Sequence, residues 1–155
     1  MRILVLEDDR VQQGRIEQTL LDIGRSRNLR LEIDIAKNYG DVEKYSQHFD
    51  HYQLYLLDLE IDGERERGFQ VAQQIRERDP FTSIVFVSTH SEALPLAFRY
   101  HLSALDFISK DQPEEDYRHQ LERCLDYVLA VDKRENMRLF TYSFEGRRGL
   151  SLIHI

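Results

Sequence analysis

Four short stretches of this sequence carry side chains that could do chemistry together. Glu7-Asp8-Asp9 follows the apolar run Ile3-Leu4-Val5-Leu6, and Asp58 follows Leu54-Tyr55-Leu56-Leu57. Ser88-Thr89 follows Ile84-Val85-Phe86-Val87, and Lys110 comes just after Leu105-Asp106-Phe107-Ile108. If those runs are neighbouring strands, several carboxylates, one or two hydroxyls and one ammonium meet on one edge. Crowded carboxylates repel one another and take up protons unless a cation neutralises them. A hard divalent ion with oxygen ligands does this, and Mg²⁺ accepts a site with few protein ligands and several waters. Kept ionised in this way, Asp58 can attack an incoming phosphoryl group. The ion and Lys110 would screen the charge on the phosphoryl oxygens, and the Ser88 hydroxyl could donate a hydrogen bond to the product. Each piece alone has an ordinary explanation: an acidic pair or a Ser-Thr pair caps a helix, a lone aspartate forms a turn, and a lone lysine is solvated. Their convergence in chain order on one edge is what makes the set specific.

The elements that must position these groups alternate. Residues 3–6, 54–57, 84–87 and 105–108 read as strands, and Leu31, Ile33 and Ile35 alternate with polar neighbours as in a strand nearer the sheet edge. Ile16, Leu20 and Ile23 keep helical spacing, with Gly24 and the polar residues 25–30 expected to end that helix. Residues 41–49 form a weak helix candidate, and residues 58–67 a charged loop. Phe69, Val71, Ala72 and Ile75 mark a third helix closed by Pro80. Ser91 is placed to cap a fourth helix with Pro95 in its first turns, and Pro113 opens a long fifth one with Leu121, Cys124, Leu125, Val128 and Val131 on one stripe. Five strands alternating with five helices predict an α/β fold with a parallel sheet covered on both faces. In such folds the site lies beyond the carboxyl ends of the strands, at the topological switch point.

Composition narrows the classes. The chain has 155 residues, room for one domain and a short appendage, and a net charge of −7 that opposes nucleic-acid binding over a broad face. The apolar runs are too short to span a membrane and no signal-peptide pattern opens the chain, so a cytoplasmic protein is expected. Cys124 is the only cysteine and sits on an apolar stripe, which reads as core in a reducing compartment. His48 and His51 lack a third ligand and read as a solvated turn; Tyr39, Tyr45, Tyr52 and Tyr55 read as packing residues.

Residues 2–133 resemble the response-regulator receiver domain. The likeness rests on Ile3-Leu4-Val5-Leu6-Glu7-Asp8, Leu56-Leu57-Asp58, Phe86-Val87-Ser88 and Ala104-Leu105-Asp106-Phe107-Ile108-Ser109-Lys110. The resemblance implies a flavodoxin-like, doubly wound five-stranded sheet in the order 2-1-3-4-5. It implies a phosphoacceptor switch rather than an enzyme acting on other substrates, phosphorylated on Asp58 by a sensor histidine kinase. Glu7, Asp8, Asp58 and the backbone carbonyl of Glu60 would hold Mg²⁺; Ser88 would be the switch hydroxyl, Phe107 the switch aromatic, and Lys110 the family's lysine. Homodimerisation through the fourth helix, fifth strand and fifth helix would be the readout. Residues 88–92 and 103–111 look most like the Gram-positive quorum-sensing, competence and bacteriocin regulators, which carry a LytTR-type DNA-binding domain and contact DNA through it.

The resemblance implies a receiver over residues 1–133, and a linker with the start of a truncated LytTR domain over 134–149. Residues 150–155 match the translation of a library-preparation adapter and are expected to be a non-native tail. The departures from the family pattern are Glu7 for the commoner aspartate, a loop without Met-Pro about two residues longer before Gly68, and Asp111 where a proline usually follows the lysine. A haloacid-dehalogenase-type phosphatase also pairs an aspartate with Mg²⁺ and lysine, but its Asp-x-Asp-x-Thr fits neither strand end here. A phosphorylation-independent receiver that only binds partners is the alternative.

Overall fold

The computed structural model describes residues 1–48 and 51–145, with side chains up to residue 135. β1 (Arg2–Leu6), β3 (Leu54–Leu57) and β4 (Ser83–Ser88) are apolar over nearly their whole length because both faces of each are covered. β2 (Glu32–Ala36) and β5 (Asp106–Ser109) alternate and form the two edges of one parallel sheet, in the order β2-β1-β3-β4-β5. The expected doubly wound α/β fold is therefore the observed one.

Successive strand residues point to opposite faces, and the core divides accordingly. Leu4, Leu6, Tyr55, Leu57, Ile84 and Phe86 pack beneath α2 (Tyr39–His48), α3 (Arg67–Arg78) and α4 (Leu94–Arg99). Ile3, Val5, Leu54, Leu56, Val85 and Val87 pack beneath α1 (Arg10–Ser26) and α5 (Glu114–Glu145). Tyr52 and Tyr55 are buried, Tyr39 and Tyr45 pack against the same core, and Cys124 is buried without a disulfide. Among the described residues no helix is long and apolar enough to cross a membrane.

Local chemistry refined two expectations. α1 runs past Gly24 and closes at Ser26, inside the polar stretch expected to end it. The missing side chain of Gly24 lets the returning chain close in: a Cβ there would lie 3.1 Å from the Leu29 carbonyl and 3.2 Å from the Leu31 side chain. Ser91 caps nothing; a single 3₁₀ turn (Ser91–Ala93) leads into α4 without a side-chain cap, and Pro95 lies in its first turn as expected. The loop after Asp58 is more regular than its charge suggested. Ile61 and Glu64 exchange backbone hydrogen bonds of 3.2 and 3.0 Å around Asp62 and Gly63, both with positive φ. That is the Asp-Gly hairpin turn, whose handedness asks for two left-handed residues in a row. α5 passes from residue 133 to 134 without a break, and residues 146–155, with the expected tail, lie outside the described residues.

Candidate functional site

Glu7, Asp58 and Lys110 each leave their strand one step past the last sheet residue, with the backbone still tied to a neighbouring strand. The Glu7 N–H donates to the Ala36 carbonyl at 3.0 Å, the Asp58 N–H to Leu6 at 2.9 Å, and the Lys110 N–H to Ser88 at 3.0 Å. Because β1 and β3 are adjacent, Glu7 and Asp8 stand beside Asp58. Lys110 comes from β5, two interstrand spacings or roughly 10 Å from β3, and only a long side chain bridges that gap. Its Nζ lies 2.5 Å from Glu7 Oε1 and 2.9 Å from Asp58 Oδ2.

The carboxylates of Glu7, Asp8 and Asp58 offer oxygens that all fall within 4.8 Å of one another. Asp8 is exposed and accepts from the Asp62 N–H at 2.9 Å, which ties the Asp-Gly turn to the site. Asp9 turns away and caps α1, accepting from the Val11 N–H at 2.8 Å. Glu7, Asp8, Asp58, Glu60, Thr89 and Lys110 share one open cleft. Ser88 is wholly buried behind it, its hydroxyl accepting from the His90 N–H at 3.1 Å, so Thr89 rather than Ser88 lines the wall. Phe107 lies away from the cleft, 6.4 Å from the Phe86 ring, and lines a separate cavity between α4 and β5. The structure thus brings together Glu7, Asp8, Asp58, Glu60 and Lys110, and holds Ser88 and Phe107 behind them.

Electrostatics follow from burial. The Glu7 carboxyl is pushed up to about 7, first by its burial and then by the charge of Asp58, with Lys110 only partly compensating. Burial alone would lower the Lys110 ammonium, but Asp58 and Glu7 outweigh it and hold it above the ordinary range. Three hard oxygen donors, one of them raised by burial and then by a like charge, make a donor set short of positive charge, which a divalent cation fits. In the metal-free protein Glu7 holds its proton in the folded state and loses it in the unfolded chain between pH 4.5 and 7, so its contribution to stability should fall as pH rises through that window. The change from Glu7 amounts to about 3 kcal/mol. Denaturation midpoints across this range check it: Glu7→Gln should flatten the slope, and an unchanged slope in that variant would refute the assignment.

Three features escaped the sequence reading. His90 spans the cleft mouth, its Nε2 2.6 Å from Glu60 Oε2 and its Nδ1 3.1 Å from Glu92 Oε1. The bond to Glu60, then that to Glu92, raises its pKa. Gly68 opens α3 hard against the site: a Cβ would fall 2.1 Å from the Asp58 carbonyl oxygen and 2.7 Å from Leu59 Cα. Arg15 reaches the Lys110 carbonyl from α1. The Asp62-Gly63 pair was a readable turn signal; the other contacts join residues distant in sequence and left no local mark.

With a five-stranded doubly wound sheet and an acidic cleft holding a lysine at the carboxyl ends of its strands, the class is defined: the chain belongs to the response regulator receiver domain family, whose model matches residues 3–122. Among curated proteins it is 33% identical over 156 residues to accessory gene regulator protein A of Staphylococcus epidermidis, across all of this chain and 65% of that protein. It is 31% identical over 159 residues to the Staphylococcus aureus protein of the same name. The chain therefore spans about 65% of the length of these relatives. Its fold is shared with NtrX from Brucella abortus, at a TM-score of 0.70 and 23% identity over 88% of this chain and 30% of that one. The response regulatory domain of mrkE from Klebsiella pneumoniae matches at 0.68 and 23% identity, over 84% of this chain and 99% of that one.

Proposed function

We propose that Asp58 accepts a phosphoryl group from a phosphohistidine on a sensor histidine kinase. The observation that carries this is the Lys110 ammonium set between the buried Glu7 and Asp58 carboxylates, beside the exposed Asp8. Glu7, Asp8, Asp58 and the backbone carbonyl of Glu60 would hold Mg²⁺, which when bound neutralises the carboxylates and draws charge from the phosphoryl oxygens. Asp58 attacks phosphorus in line, the bond from phosphorus to the donor imidazole breaks, and the imidazole leaves with that electron pair. Lys110 shifts a hydrogen bond to a phosphoryl oxygen. The reaction is self-directed: water later hydrolyses the acyl phosphate and resets the switch, so the protein is not an enzyme for other substrates.

Phosphate on Asp58 draws the Ser88 hydroxyl forward, and Phe107 moves into the space behind it. Supporting this readout, Phe107 already lines the cavity between α4 and β5, and Phe98 beside it is 78% exposed. The surface of α4, β5 and α5 then forms a homodimer. By likeness to the staphylococcal regulators, transcription is controlled in the cytoplasm through a LytTR-type DNA-binding domain, for which the unmatched part of those relatives leaves room.

Incubation with acetyl phosphate and Mg²⁺, followed by intact mass and sizing chromatography, tests both steps. Wild type should gain one labile phosphoryl group and move towards a dimer, and Asp58→Ala should do neither. A wild type that gains no mass, from acetyl phosphate or from any phosphorylated kinase, would leave the partner-binding receiver as the better reading.

A further inference from the structure

Lys110 works only if its ammonium stays on the line between Glu7 and Asp58, and its side chain alone does not secure that. The loop after β5 has one light bond of its own, from the Asp111 N–H to the Ser109 Oγ at 3.2 Å, and because Asp111 follows Lys110 the φ restraint that a proline would impose is absent. The backbone is held from outside, at both ends of the same residue. Its N–H is tied to the Ser88 carbonyl of β4 at 3.0 Å. Its carbonyl accepts from Arg15 Nη1, on α1, at 2.8 Å.

Arg15 is itself built into place. Its guanidinium lies over the Tyr117 ring with Cζ 3.8 Å from the centroid, and Tyr117 is 1% exposed at the base of α5. Its Nε lies 2.8 Å from Glu114 Oε1, out of line for a directed hydrogen bond, so that contact acts through charge. The side chain as a whole is 16% exposed. An arginine packed face-down on a buried ring has few ways to move, and the carbonyl that it grips moves with it. It makes no hydrogen bond or ion pair with Asp58, Glu7 or Asp8.

We infer that Arg15 is a positioning residue: it fixes the Lys110 backbone so that the ammonium meets Asp58 and the phosphoryl group placed there. The inference rests on the phosphoacceptor reading of Asp58. A purely architectural role in joining α1 to α5 is the competing account, and the fold contains a control for it. Arg27, at the far end of α1, bonds Glu122 and Asp126 of α5 and has no contact with the Lys110 loop.

The test compares wild type, Arg15→Ala, Arg15→Lys and Arg27→Ala by labelling rate from acetyl phosphate at saturating Mg²⁺, melting temperature, and amide hydrogen exchange of residues 110–112. Arg15→Ala should label about tenfold more slowly, since displacement of a catalytic group by a fraction of an ångström costs on that scale. Its loop amides should exchange faster even without Mg²⁺. Arg15→Lys, which keeps one donor for the Lys110 carbonyl, should recover most of the rate. Arg27→Ala should lower the melting temperature and leave both the rate and the loop exchange unchanged. Equal losses of rate in Arg15→Ala and Arg27→Ala, or a normal rate in Arg15→Ala, would overturn the inference while leaving Asp58 as the acceptor. If Arg15→Ala does not fold, Arg15→Met, which keeps an apolar stem over Tyr117 but has no donor for the Lys110 carbonyl, takes its place: slow labelling with native melting supports the role, and a wild-type rate overturns it. No label on wild type would overturn the phosphoacceptor reading, and this inference with it.

Discussion

Lys110→Ala should slow phosphoryl uptake by Asp58 about a hundredfold, because a preorganised cationic donor is lost from the oxygens on which charge develops. The same change should destabilise the metal-free protein, and the size should depend on pH. Glu7 and Asp58 share this one ammonium at 2.5 and 2.9 Å, and both carboxylates are buried. Lys110 lowers the Glu7 pKa in the intact site, so without it Glu7 titrates higher still, and ionising it beside Asp58 at high pH with no counter-charge costs about 3 kcal/mol. At pH 6 Glu7, already raised to about 7 in the intact site, takes up a proton and relieves the repulsion. Added Mg²⁺ should restore part of the stability without restoring the labelling rate, since it replaces the charge but not the donor. Melting curves at the two pH values, with and without Mg²⁺, separate these effects. A loss that is the same at pH 6 and pH 8 would mean that Lys110 serves packing rather than charge.

Gly68→Ala should be among the most damaging single-methyl changes in the molecule, costing about 4 kcal/mol. The added Cβ would fall 2.1 Å from the Asp58 carbonyl oxygen and 2.9 Å from its carbonyl carbon, and both neighbours are backbone that cannot swing aside. Gly68 also donates to the Leu59 carbonyl at 2.9 Å, so α3 starts locked to the residue that follows the acceptor. To admit the methyl, either α3 must back away and draw Phe69 off its core partners or Asp58 must shift. A variant that stays folded should therefore label poorly as well. The denaturant midpoint and labelling rate of Gly68→Ala measure both, with Gly14→Ala as comparison because a Cβ at Gly14 meets nothing within 4 Å. Equal midpoints for the two variants would show that the backbone at Gly68 yields more easily than its contacts indicate.

What could be read from the residues was what local patterns encode. Apolar runs before Glu7, Asp58, Ser88 and Lys110, with helical spacing between them, sufficed for the parallel sheet, its order by resemblance, and the edge where the chemistry gathers. A strand buried on both faces must be apolar along its length, and its first polar residue must lie at its end; this physical link makes Asp58 visible in one dimension. The Glu7-Asp8 pair was visible for the same reason.

Tertiary structure decided everything that depends on the distance between elements. Arg15 and Lys110 lie 95 residues apart, and Glu60 and His90 lie 30 apart; each pair meets only because helices and loops pack at particular heights above the sheet. Gly24 read as part of a helix end and Gly68 only as the landmark closing a longer loop, since the sequence marks a small residue but not which backbone will press against it. The burial of Ser88, and its replacement by Thr89 on the cleft wall, followed from strand register and backbone direction at the end of β4, where a one-residue step exchanges the two faces. Residue types and spacing determined which groups could act; packing determined how far apart they stand, which are ionised, and which are held in reserve behind the site.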